Sequence, residues 1–462
     1  MPRPRRYNAR MDSNTLKRRD LAALWHPCTQ MKDYGEEGTL PMLAIRRGEG
    51  VWLEDFEGRR YLDAISSWWV NLFGHANPTI NAAIRDQLDQ LEHVILASCT
   101  HEPVVRLSER LIGLTPEPLT RCFFADNGSA AVEVALKMSF HYWKNRGQPG
   151  KQRFICLTNS YHGETLGALA VGAVELYRAT YAPLMMPVIT VPGPDCFERE
   201  EGETCADVAR RQFALMEATL AAHAHETAAV IIEPLVQCAG SMRMYDPEYL
   251  RLLRDACDRH GVHLIADEIA VGFGRTGTMF ACEQGSIAAD FLLLSKGLTG
   301  GYLPLAVALT TDEIYDAFYD DYEKLNAFLH SHSYTGNPLA CRAALATLDI
   351  FEREPVLERN QELAQHMARA LEPLREHPHV AEVRQTGMIA AVELVQDKAS
   401  RRPFPWQERR GLEIYRHALK RGALLRPLGN VSYLMPPYVI TEQEIDFLVE
   451  VMREGIELAV SR

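Results

Sequence analysis

Short, β-rich apolar runs alternate with helix-period stretches through the middle of this 462-residue chain. That alternation predicts an α/β fold, with a large domain built on a mostly parallel seven-stranded sheet. Two further observations support it. The chain is too long for one ordinary hydrophobic core. Its 47% apolar and 24% charged residues are the balance of a globular protein, which excludes fibrous and disordered classes.

The opening segment carries strand-like pieces at 51–54 and 60–63, and residues 1–74 are expected to join a small domain. The large domain is expected over 75–340, with strands at 122–125, 154–158, 188–191, 229–233, 263–267, 291–295 and 305–309. Helices are expected between them at 129–144, 205–223 and 247–260. The last begins at Pro247 and stops at Gly261, which are start and stop signals. Residues 341–462 form the smaller α+β unit, with helices at 339–352, 356–374 and 441–460 and strands at 380–386, 389–394 and 432–435.

A net charge of −12 argues against a nucleic-acid or anionic-membrane binder. No apolar stretch reaches membrane-spanning length and no signal peptide is visible, so the expected location is the cytoplasm. The ten cysteines are scattered without a Cys-x-x-Cys pair, and several sit in apolar runs as reduced thiols do. No metal-ligand spacing is present. Arg3, Arg5, Arg6 and Arg10 make the first residues a basic tail, with Met11 as an alternative start.

Lys296 follows the apolar run Leu292-Leu293-Leu294-Ser295. Lysine is strongly hydrated, so one seated directly on a core strand needs a reason. Burial lowers its pKa, and a neutral amine can attack a carbonyl to form a Schiff base. Asp267 ends an earlier strand, in a place suited to protonating a pyridine nitrogen. Asn127-Gly128-Ser129 ends a strand and opens a helix, a geometry that holds phosphate, although plain helix capping uses the same letters. Tyr161-His162-Gly163-Glu164 follows the next strand and offers an aromatic face for a flat ring. Gly272–Gly277 matches G-x-G-x-x-G, but Asp267-Glu268 intervenes after the strand and Thr278-Met279-Phe280 is a poor helix start. A nicotinamide dinucleotide is therefore not expected there.

In this order, with Ser295-Lys296-Gly297 and Thr335-Gly336-Asn337-Pro338, these motifs resemble the class III, fold type I pyridoxal-phosphate aminotransferases over essentially the whole chain. The resemblance implies pyridoxal 5'-phosphate on Lys296, with Asp267 at its ring nitrogen, Tyr161 stacked on the ring, and Gly128, Ser129, His332 and Ser333 as further cofactor residues. It also implies a homodimer in which Ser333 serves the partner's site. Leu24-Trp25-His26-Pro27, Ser66-Ser67-Trp68-Trp69, Met242-Arg243-Met244-Tyr245 and Leu425-Arg426-Pro427-Leu428-Gly429 resemble a branch of biotin synthesis that aminates 8-amino-7-oxononanoate. For that substrate the resemblance implies a pocket of Trp68, Trp69, Tyr161, Glu164, Arg275, Ser331 and Cys28, with Arg426 on the distal carboxylate. Cys28 stands where the family has tyrosine, and His330-Ser331-His332-Ser333 replaces His-Gly-Pro-Thr. These departures resemble relatives that use lysine, so adenosylmethionine and lysine both stay open as amino donor.

Overall fold

The computed structural model describes residues 12–34 and 39–461. The basic tail and Met11 lie outside the described residues. The central sheet has seven strands: β1 (Leu119–Ala125), β2 (Arg153–Leu157), β3 (Ile189–Val191), β4 (Thr227–Ile232), β5 (His263–Asp267), β6 (Phe291–Leu294) and β7 (Ala306–Thr311). Their spatial order is β1-β7-β6-β5-β4-β2-β3. β7 runs antiparallel to both neighbours, and the other pairings are parallel.

Period-two alternation explains how the sheet is covered on both faces. Phe154, Ile231, Ile265 and Leu293 point into one cluster, under helix α1 (Gly128–Asn145). Ile155, Val230, Leu264 and Leu292 point into the other, with Met216 and Leu220 of α2 (Cys205–His223) and Leu253 of α3 (Glu248–His260). α3 ends as its sequence signals: Gly261 takes φ 60°, with Arg259 and His260 in the last turn. Residues 269–276 form turns that open into bends and a short 3-10 helix at Ala281–Gly285, not into the α-helix of a dinucleotide-binding loop.

The chain's beginning and end are woven together. Ile45–Glu49, Trp52–Asp55 and Arg60–Asp63 form a sheet whose fourth strand, Ala423–Leu424, pairs parallel to Arg60–Asp63. A second sheet joins Val380–Thr386, Ile389–Asp397 and Val431–Leu434. The terminal helices Pro338–Arg353, Val356–Leu371 and Glu442–Val460 sit close to their expected bounds.

One cysteine expectation is corrected. Cys196 and Cys205 form a disulfide across the loop that leads into α2. The sequence spacing gave no sign of it, because the pair is brought together by that loop and not by a motif. Cys156, Cys238, Cys257, Cys282 and Cys341 are free and buried.

Candidate active site

A cavity of about 640 Å³ opens at the carboxyl ends of β4, β5 and β6, where the parallel strands release their chains into loops. Asp267 is the last residue of β5, Glu233 follows β4, and Lys296 lies two residues past β6. The period of the sheet therefore sets their spacing, and all three line the cavity.

Lys296 sits in the left-handed region, at φ 43°, which turns its side chain off the strand direction and into the cavity. Its Nζ is 5.3 Å from the ring centroid of Trp69. Burial holds its pKa below the usual lysine value, partly offset by the charge of Asp267. Asp267 Oδ2 is 2.7 Å from His162 Nδ1, and Oδ1 accepts from the Ile269 amide. His162 Nε2 is buried without a partner among the described residues.

Glu233 is a site residue that sequence reasoning missed. Its carboxylate accepts from the amides of Tyr161 at 2.9 Å and Cys238 at 3.1 Å. Burial pushes its pKa well above the usual carboxylate range, and the charge of Asp267 adds to the shift. The signal was present: an acid directly after the all-apolar run of β4, as Asp267 stands at the end of β5.

The loop at the start of α1 is built by close contact. Asn127 caps α1 by accepting from the Ala130 amide. Ser129 Oγ is 2.8 Å from Thr165 Oγ1 and accepts from the Thr165 amide. Gly163, at φ 122°, lies so near that a Cβ there would fall 2.4 Å from Ser129 Oγ, so only glycine fits. The Tyr161 hydroxyl donates to Glu164 at 3.1 Å, and its ring meets the edge of Tyr177 at 5.5 Å.

At the open end, the Arg426 guanidinium lies 4.3 Å from the ring centroid of Trp68 and pairs with no acid among the described residues. Cys28 stands at the mouth, 4.0 Å from the Tyr177 hydroxyl. Burial, with Cys28 beside it, raises the Tyr177 hydroxyl to about 12.

Four expected residues are elsewhere. Arg275 does not line the cavity: it is 1% exposed and donates to the carbonyls of Pro436 at 2.6 Å and Asn71 at 3.0 Å. It is a clamp between segments, because backbone oxygens take one hydrogen bond from each of its two terminal nitrogens. Ser331, His332 and Ser333 lie outside the lining of their own chain's cavity, on the stretch before the Pro338–Arg353 helix, with Ser331 and Ser333 exposed. Trp68, Trp69, Tyr161, Glu164, Gly128, Ser129, Cys28 and Arg426 are all brought together with Lys296 and Asp267.

The sequence matches the family Aminotransferase class-III over residues 34–456. The chain belongs to the class-III aminotransferases. This aminotransferase is 45% identical, over 96% of its length and 98% of the relative's, to the adenosylmethionine-8-amino-7-oxononanoate aminotransferase of Geobacter sulfurreducens. The crystal structure of the Methanocaldococcus jannaschii protein of the same name superposes with a TM-score of 0.91, at 40% identity, covering 97% of this chain and 99% of that one. A PLP-bound amine transaminase from an uncultivated Pseudomonas species superposes at 0.89, with 34% identity, covering 95% and 99%. The cofactor of this aminotransferase is pyridoxal 5'-phosphate. The cavity fits it: an amine of lowered pKa, a carboxylate with a histidine behind it, and the first turn of a helix face one space.

Proposed function

We propose that this cavity moves an amino group onto the keto carbon of 8-amino-7-oxononanoate, with adenosylmethionine as donor, in the biotin pathway. The observation that carries the substrate is the pair Arg426 and Trp68: a cation with no acid partner among the described residues, laid on an indole at the end of an aromatic wall. That pair suits a long apolar chain ending in a carboxylate.

Bound here, pyridoxal phosphate supplies the aldehyde that takes up the amine and the ring that accepts the electron pair of the broken C–H bond. Lys296 Nζ would hold it covalently and, once released, take the proton from the donor carbon and return it. Burial favours the neutral amine that this work needs. Asp267 would hold a proton at the ring nitrogen, with His162 fixing its carboxylate. Tyr161 would face the ring, and Gly128 and Ser129 would take the phosphate. Glu164 and Cys28 would meet the amino donor.

A homodimer is part of this reading. Ser333, with His332 and Ser331, would complete the partner's site, and the exposed Leu329 and Tyr334 beside them supply apolar surface for such an interface. Sedimentation should give twice the 52.1 kDa chain mass. The division at 74 and 340 and a cytoplasmic location belong to the same reading. Lysine as donor is the second reading, favoured by the small thiol of Cys28 at the cavity mouth. Mixing the yellow holoenzyme with each donor alone tests both. Bleaching by adenosylmethionine and not lysine is expected; bleaching by lysine alone reverses the assignment, and bleaching by neither sinks it.

A further inference from the structure

Four consecutive residues, none of them glycine, hold left-handed backbone: Ser66, Ser67, Trp68 and Trp69, at φ 51, 48, 79 and 72°. In that region an L side chain crowds its own carbonyl, so such a run persists only where its surroundings over-determine it. The surroundings here centre on Asp63, which has no exposed surface and lies outside the cavity lining. Its Oδ1 accepts from the amides of Ser67 at 3.0 Å and Ile65 at 3.3 Å. Its Oδ2 accepts from Ser67 Oγ at 2.7 Å and lies 3.0 Å from His75 Nε2.

His75 closes the loop. Its Nδ1 is 3.3 Å from Asn71 Nδ2 at the exit of the turn, so it accepts there and gives its Nε2 hydrogen to Asp63. Two further bonds tie the turn to the C-terminal part of the chain. Ser66 Oγ donates to the Met435 carbonyl at 2.8 Å, and Trp69 Nε1 donates to the Tyr433 hydroxyl at 3.0 Å. Trp68 has no such bond among the described residues. It remains 40% exposed under Arg426, and the turn below it sets the direction in which it leaves the backbone.

We propose that Asp63, backed by His75, is a positioning residue for substrate choice: it holds the left-handed turn that aims Trp68 at the keto acid. It touches no substrate and acts through Trp68. The inference rests on the reading that Trp68 and Arg426 receive the keto acid's chain.

The test is a double-mutant cycle in the holoenzyme. Asp63→Asn should raise the KM for the keto acid about tenfold, the size of one or two lost charge-assisted hydrogen bonds. The yellow absorbance and kcat should persist, since Lys296 and Asp267 are not in contact with Asp63. Trp68→Ala should raise the same KM, and the double variant should be no worse than Trp68→Ala alone. Near-ultraviolet circular dichroism should change in Asp63→Asn and not between the two variants that lack Trp68. Effects that add in full, or dichroism equal to wild type in Asp63→Asn, overturn the proposal. If Trp68→Ala leaves KM unmoved, the keto-acid reading fails, and the dichroism of Asp63→Asn alone decides whether Asp63 holds the turn. Should Asp63→Asn not fold, Ser67→Ala removes one of the four bonds and is read in the same cycle, with an expected KM rise of about threefold.

Discussion

The floor and the mouth of the cavity are built differently. The floor is made at strand ends: Asp267 closes one fully buried strand, Glu233 and Lys296 follow two others, and both carboxylates accept from backbone amides. The mouth is made by loops: Trp68 on a left-handed turn, Arg426 after a two-residue strand, Cys28 at φ 54°, and Tyr177 on a single helical turn. On the proposed reading, the chemistry sits at strand ends, and selection between substrates sits on loops that can change without disturbing the sheet.

The largest break in this comparison comes from the floor. Lys296→Ala removes nucleophile and proton carrier together, and turnover should fall by about 10⁴-fold or more, with loss of the yellow absorbance. A variant that stays yellow and turns over would mean that another amine does the work. At the mouth, Arg426→Ala should cost about 1.5–3 kcal/mol, seen as a rise of roughly ten- to a hundredfold in the KM for the keto acid. The donor half-reaction should be spared, and stopped-flow bleaching reads that directly. If donor and keto acid suffer alike, the guanidinium serves both.

Between the two regions stands Gly163. A methyl group there meets Ser129, and φ 122° is hostile to any L side chain. Gly163→Ala should destabilise the loop by about 1–3 kcal/mol and weaken cofactor retention on dialysis, leaving the KM for the keto acid of the loaded enzyme near its wild-type value.

Stability should also follow the floor. Burial pushes Glu268 up to about 7 from 4.5, while its two oxygens accept from the amides of Ala281 and Cys282. A carboxyl group whose folded pKa is raised favours the folded state below its unfolded pKa. That advantage is lost as pH rises toward 7. Thermal midpoints of wild type should therefore carry a downward contribution across that window, and Glu268→Gln should flatten it. An equal slope in both proteins removes Glu268 as its source. The smallest effect is expected at Tyr177→Phe, which takes one hydroxyl from the mouth and should move the donor KM by about two- to fivefold.

Two of the floor's three residues were legible in the sequence, and much of the mouth's support was not. Asp267 and Lys296 could be read because each stands at the end of its own apolar run, where local pattern and chemistry coincide. Arg275 was assigned to the substrate pocket on the family resemblance. Its real partners are the carbonyls of Asn71 and Pro436, 204 and 161 residues away, and carbonyls leave no mark in a sequence. The left-handed turn was equally silent, since its positive φ values fall on serine and tryptophan where glycine would have announced them. Ser331, His332 and Ser333 stand outside the lining of their own chain's cavity, as residues meant for a partner's site would.

The bond between Trp69 and Tyr433 spans 364 residues. On a ribosome adding about 5–20 residues per second, the indole emerges roughly 20–70 seconds before the hydroxyl that will receive it. The aromatic wall is thus among the earliest sequence to be made and among the last structure to be finished. For most of its synthesis the nascent chain has the turn's local partners, Asp63 and His75, without its ties to Tyr433 and Met435.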